Sequence, residues 1–222
     1  MTKLIIAIAL TLSSLFASAQ LKGSGVTITK NYDYNNFTKI DFNDLDGNLE
    51  IEVGKPYSIA ITIDDNLLNL LTVDQKDNLL SIALKGNTNN RMYIEDTKIK
   101  IKITTPLLTE VRNNGNSSLQ VMGINSENFK TTNPDNGSTT LSGKVNNLQV
   151  VCRGNGNLYA EKLIAQKATV KCSGNGNVKI NVMELVTAGA SGNGNIINIG
   201  KARFDAASTA SGNSSLNGRK NN

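Results

Sequence analysis

The 222-residue chain contains no histidine and no tryptophan, two cysteines, three prolines, and only 5% aromatic residues. Each scarcity removes a class of chemistry. Without histidine there is no Ser-His-Asp or Cys-His nucleophile pair, no imidazole ligand for zinc, and no imidazole base near neutral pH. The few aromatics leave little to stack on sugar rings or unpaired bases, and no nucleic-acid partner is expected. Beyond the N-terminal stretch that ends at Ala19, no apolar run is long enough to cross a membrane as a helix. These absences favour a binding or structural protein over an enzyme. What the chain does have is asparagine in marked excess, accompanied by glycine.

Residues 1–19 read as a secretory signal. Lys3 supplies the basic start, Leu4 to Leu12 the apolar run, and Ala17-Ser18-Ala19 a small-residue cleavage site that leaves Gln20 as the new N-terminus. The run is too short for a spanning anchor, which needs about 20 apolar residues. The expected location is the periplasm or the cell surface of a Gram-negative-type bacterium. Charge divides the rest. Residues 20–112 carry 11 Lys and Arg against 13 Asp and Glu, whereas residues 113–222 carry 11 against 5. Organisation is therefore expected to change near residue 112.

The second half is periodic. Polar turns recur at 114–119, 136–141, 153–158, 173–178, 191–196 and 211–216, each ending at an aliphatic residue. Those aliphatics are Leu119, Leu141, Leu158, Val178, Ile196 and Leu216, a mean step of about 19 residues. Before the turns, alternation such as Leu148, Val150, Cys152 and Ala168, Val170, Cys172 is the period of a half-buried strand. Each unit reads as strand, turn, strand and a polar return, as at Glu161-Lys162 and Lys201-Ala202-Arg203. Units this short suit the coils of a parallel β-solenoid stacked about 4.8 Å apart. An antiparallel meander is the rival, but it gives no reason for one turn sequence to recur in one phase.

The turns carry Gly115, Asn116, Gly137, Gly154, Asn155, Gly156, Gly174, Asn175, Gly176, Gly192, Asn193, Gly194, Gly212 and Asn213. Glycine reaches positive φ without a Cβ clash, and asparagine tolerates the left-handed region. Asn155, Asn175, Asn193 and Asn213, with Asn116, are expected to stack in one column whose amides bond between units. Cys152 and Cys172 hold the same position in adjacent repeats. Either a disulfide or a stacked pair of reduced core thiols fits that placement.

The first half also reads as β-structure, with strands at Val26–Ile28, Phe37–Phe42, Leu49–Val53, Ser58–Ile63, Leu79–Leu84 and Lys98–Thr104. One helical turn is expected over Asp65–Leu71, with Asp64 or Asp65 as its cap. Phe37-Thr38-Lys39-Ile40, Gly47-Asn48-Leu49-Glu50-Ile51, Tyr57-Ser58-Ile59-Ala60-Ile61 and Lys100-Ile101-Lys102-Ile103-Thr104-Thr105-Pro106 precede the serial Gly-Asn turns. In this arrangement the chain resembles the putative auto-transporter adhesin family, the head GIN domain. The resemblance implies a right-handed β-helix-like solenoid with tight turns between sheets. It also implies a surface or adhesion role, and brings no catalytic residues with it. The chain departs from the family in using Gly-Asn-Gly-Asn where Gly-Ser-Gly is commoner.

Candidate sites are few. Asp44, Asp46, Asn48 and Glu50 surround one turn, but their spacing does not continue as a calcium loop. Glu127, Asp135, Glu161, Glu184 and Asp205 fall at unlike repeat phases, so the paired carboxylates of a polysaccharide lyase or hydrolase are not assembled. Lys162, Lys167, Lys171 and Lys179 point outward from a half with net charge +6, which allows weak polyanion binding. No catalytic residue, metal ligand or cofactor is assigned. The expected fold is all-β, a right-handed parallel β-helix-like solenoid with tight Gly/Asn turns over 113–222, preceded by a β-rich half over 20–112. The expected function is a noncatalytic adhesion-type module presenting a rigid face to a surface glycan or protein. A structural envelope scaffold without soluble ligand is the alternative, and homo-oligomerisation stays open.

Overall fold

The computed structural model describes residues 21–85 and 94–218. The signal reading at Ala17, Ala19 and Gln20 lies outside the described residues. The first strands are β1 (Leu21–Lys22), β2 (Thr27–Tyr32), β3 (Lys39–Leu45), β4 (Gly47–Val53) and β5 (Ser58–Asp64). A 3-10 helix over Asp65–Leu70 follows, then β6 (Leu71–Lys76), β7 (Leu79–Leu84), β8 (Ile94–Glu95), β9 (Ile99–Thr105) and β10 (Glu110–Gly115). Next come four long strands, β11 (Ser118–Asn133), β12 (Ser138–Cys152), β13 (Leu158–Gly174) and β14 (Val178–Gly192). The short β15 (Ile196–Asn198), β16 (Arg203–Phe204), β17 (Thr209–Gly212) and β18 (Leu216–Asn217) finish the array. The fold is all-β, and the main sheet of 16 strands is not closed.

Alternation builds each strand. In β12 the residues Leu141, Val145, Leu148, Val150 and Cys152 are buried while their neighbours face outward. Every strand pairing made by β10 to β18 is parallel. The antiparallel meander is thereby excluded for the repeat half. Register is set by the buried face: Leu148, Ala168 and Val186 stand opposite one another, as do Val150, Val170 and Ala188. A slip of one residue would turn this whole set to water. Fully burying a leucine such as Leu158 contributes about 1.5–3 kcal/mol, so the register is strongly specified.

Two features differ from the sequence reading. The position after the second turn belongs to Thr139, not Leu141: Leu119, Thr139, Leu158, Val178, Ile196 and Leu216 form the column. Thr139 is fully buried there, and the Asn113 amide, 3.4 Å from its hydroxyl, gives that buried group a partner. With Thr139 in place the repeat is more even than Leu141 would make it. The polar return at Glu161-Lys162 is also not a loop. It lies inside continuous β13, where the register shifts between Ala160 and Ile164 and the strand bends.

In the first half the parallel β3–β10 and β4–β11 pairings carry the stack down to residue 39. Antiparallel pairs β2–β5, β5–β9 and β6–β7 are added at its side. One buried cluster runs from Phe37 to Ala202. The helical turn forms where expected, but Asp64 makes no side-chain cap. Its buried carboxylate instead accepts the Gly25 N–H at 2.8 Å and the Lys98 N–H at 2.6 Å, tying two distant segments together.

Candidate binding faces and the turn ladder

The Gly-Asn turns lie one above another along one corner of the stack. Asn136 donates to Asn116 Oδ1 at 3.2 Å, Asn155 to Asn136 at 2.7 Å, and Asn175 to Asn155 at 2.6 Å. Asn193 donates to Asn175 at 2.6 Å and Asn213 to Asn193 at 2.9 Å. Each interior amide gives one bond and receives one, the inventory of a carboxamide used in a single direction. Asn136 belongs to this ladder although spacing alone passed over it. None of the six asparagines has positive φ, so the left-handed argument for asparagine does not apply here. Their role is between units.

A second, shorter ladder runs beside it. Asn157 Oδ1 accepts the Asn177 N–H at 2.8 Å, Asn177 Oδ1 accepts the Asn195 N–H at 3.0 Å, and Ser215 donates to Asn195 at 2.6 Å. Glycine is required for two separate reasons. Gly192 sits at φ +100°, which strains any other residue. At Gly176 the backbone is ordinary, but a Cβ would lie 2.0 Å from the Gly156 carbonyl oxygen of the preceding unit.

Sequence reasoning missed a set of buried asparagines, Asn113 and Asn133 inside this corner and Asn198 at a separate bend beyond the Ile196 column. Asn113 donates to Ser117 O at 3.1 Å, Asn133 to Gly137 O at 2.6 Å, and Asn198 to Ala202 O at 2.8 Å. Each amide reaches forward along the chain and closes its turn from within. Asn133 shares its column with Cys152, Cys172, Ala190 and Ala210. The signal was present as a polar residue at a phase that elsewhere holds small apolar ones.

Cys152 and Cys172 face each other in register, and both thiols are free and buried. A hydrogen bond with Cys172, reinforced by burial, pushes the Cys152 thiol well above its ordinary range. Such a thiol is a poor nucleophile.

The acidic turn does not gather its charges. Asp44 is held at φ +55°, and burial, then the neighbouring Asp135 charge, raises its pKa. Glu50 faces Lys102 at 3.8 Å, while the backbone carbonyl of Asp46 accepts from Thr97. Among the described residues no group of three acidic or thiol side chains could hold a metal ion. The carboxylates of the repeat half are likewise separate. Glu127 accepts from Asn146, Glu161 faces Lys179 at 3.7 Å, and Asp205 accepts from Thr187 and Ser208. Those two hydroxyl hydrogen bonds lower the pKa of Asp205. Of the four outward lysines, Lys179 is engaged with Glu161 and lies 5.8 Å over the Tyr159 ring. Lys162, Lys167 and Lys171 are exposed.

The family model for "Putative auto-transporter adhesin, head GIN domain" matches residues 36–202. The chain belongs to that family. Its fold is shared with solved structures of similar name. A putative adhesin from Bacteroides fragilis has a TM-score of 0.67 at 22% identity, over 90% of this chain and 100% of its own. A putative lipid binding protein from Parabacteroides distasonis has a TM-score of 0.57 at 19% identity, over 90% and 100% respectively. No curated protein matches. The family and these neighbours are named for adhesion or lipid binding, not for catalysis. Among the described residues no helix is long and apolar enough to cross a membrane.

Proposed function

We propose that this head GIN domain protein is an exported, noncatalytic adhesion-type module. After cleavage behind Ala19, residues 20–112 form its β-rich base and residues 113–222 a right-handed β-helix-like solenoid. The module stands at the cell surface or in the periplasm of a Gram-negative-type bacterium and presents a rigid β face to a glycan or protein. The observation that supports this most is the outward register across the parallel strands β12, β13 and β14. Gln149, Thr169 and Thr187 align in one column, and Val151, Lys171 and Gly189 in the next. Side chains fixed in rows lose little further entropy when a long ligand lies across them, which is the advantage of a preorganised surface.

The experiment has two arms. Protease added to intact cells is expected to release fragments of this chain, and the purified mature chain is expected to bind saturably to members of a glycan and protein array. Full protection in the first arm confines the protein to the periplasm. Absence of binding in the second overturns the adhesion reading and leaves a structural envelope component.

A further inference from the structure

One outward face of the repeat half is notched. Val151, Lys171, Gly189 and Thr209 succeed one another in register along β12, β13, β14 and β17. The next column starts at Arg153, which follows Cys152 as Ser173 follows its register partner Cys172, and continues through Ser191 and Ser211. Together with Lys130 these columns frame a depression of about 590 Å³. Among the described residues no carboxylate lines it. Lys130 is paired with Glu110 at 2.7 Å, whereas Arg153 and Lys171 make no ion pair among the described residues. Asp205 ends the neighbouring column and is engaged by Thr187 and Ser208.

The fold does not require the notch. Gly189 lacks the positive φ seen at Gly192, and a Cβ built on it would meet only Thr209 Oγ1, at 4.0 Å. A strand-interior glycine with free space above it weakens the strand without steric need, and close approach by another molecule is one of the things such positions mark. The floor is lined with hydroxyls, and those of Ser173 and Ser191 donate to nothing among the described residues. Among the described residues no aromatic ring lines the depression to stack a neutral sugar.

We infer that this depression binds a carboxylate-bearing polysaccharide strand, with Arg153 and Lys171 holding carboxylates and the strand seated over Gly189. Charge complementarity argues for the occupant. With stacking absent, recognition falls to charge-assisted hydrogen bonds, and arginine's fork matches a carboxylate in bidentate geometry. The serine column adds hydroxyl-to-hydroxyl bonds at rung spacing. This assignment rests on the adhesion reading above and names its site and ligand class.

The test uses the mature chain and polygalacturonate fragments, with binding measured by calorimetry at low salt. Wild type is expected to bind, and binding is expected to weaken as salt rises. Arg153→Gln with Lys171→Gln is expected to weaken binding about tenfold or more, since each removes a charge-assisted bond. Gly189→Leu keeps every charge and fills the notch, and is expected to weaken binding by a similar factor. Lys144→Gln with Lys162→Gln removes the same charge elsewhere and is expected to stay within about twofold. Melting curves check that all variants remain folded. Absence of wild-type binding overturns the inference. So does an unaffected Gly189→Leu, or an equal loss in the Lys144/Lys162 pair, which would indicate net charge alone. Displacement by inorganic phosphate or phosphatidylglycerol vesicles as effective as by free galacturonate would assign the cations to phosphate instead. Failure here, with array binding retained, leaves the adhesion reading standing and removes only this groove.

Discussion

The asparagine ladder makes a prediction about additivity. Asn175 donates to Asn155 and accepts from Asn193, so Asn175→Ala removes two hydrogen bonds, whereas Asn213→Ala removes one. A neutral hydrogen bond contributes about 0.5–1.5 kcal/mol net. These amides are exposed, so water replaces much of what is lost and the lower end applies. Asn175→Ala should cost about 1–1.5 kcal/mol and Asn213→Ala about half as much. Positive φ adds nothing, because the ladder asparagines do not adopt it. Asn155 and Asn175 share one bond, so the double alanine variant removes three bonds and falls short of additivity by about 0.5 kcal/mol. Asn136 and Asn193 share none, so their double variant loses four and should be additive. The assay is urea unfolding followed by circular dichroism, where about 1 kcal/mol moves the midpoint by about 0.5 M at a slope near 2 kcal/mol/M. A single transition must be seen for each variant, because repeat arrays can lose cooperativity. Equal costs at positions 175 and 213, or equal additivity in the two pairs, would refute the ladder as an energetic unit.

Three further outcomes are expected. Gly176→Ala should destabilise by about 3 kcal/mol, because its Cβ meets the Gly156 carbonyl at 2.0 Å, whereas Gly189→Ala should be neutral or slightly stabilising; similar melting temperatures for both would contradict the close-approach argument. Burial holds the folded pKa of Asp41 above the ordinary carboxylate value, and the Asn43 side-chain hydrogen bond and Arg112 at 3.7 Å only partly offset this. As pH rises through that ordinary value the unfolded chain ionises first and stability falls, so Asp41→Asn should raise Tm at pH 7 and leave it unchanged near pH 3; a Tm lowered at pH 7 would reverse the sign. For the cysteine pair, thiol reagents should react only on unfolding, and Cys152→Ala with Cys172→Ala should cost about 1–2 kcal/mol, since alanine already fills this column at Ala190 and Ala210. Rapid labelling of the native protein would count against the buried, hydrogen-bonded pair. Stability of the wild type should also decline above the ordinary thiol range, where Cys152 ionises first in the unfolded chain.

Period and composition alone determined that the chain is β-structured and that the second half repeats. Side chains alternate by geometry in any strand, so Leu148, Val150 and Cys152 declare a buried face before any partner is known. Residue types also disclosed the absence of imidazole chemistry. Pairing partners were less legible. Leu71 to Lys76 forms a hairpin strand with Leu79 to Leu84, although the start of that segment reads as helix from Leu67-Leu68-Asn69-Leu70-Leu71. Its Lys76-Asp77-Asn78-Leu79 turn, with Asp77 at φ +53°, was the signal that could have found it. The phase of the second repeat was misread because Thr139 is polar by name, yet its hydroxyl is satisfied by an amide from the preceding unit.

What only the tertiary structure decided are the properties that exist between units. In a column such as Lys171, Gly189 and Thr209, each step in sequence is a full repeat. The column becomes one surface only because parallel register places its members at strand spacing, about 4.8 Å. The inward duty of Asn113 and Asn133, the choice of glycine at 176 and the open notch at 189 all depend on which carbonyl or side chain the neighbouring unit presents. Sequence periodicity reports that a neighbour exists. Contact distance reports what that neighbour demands.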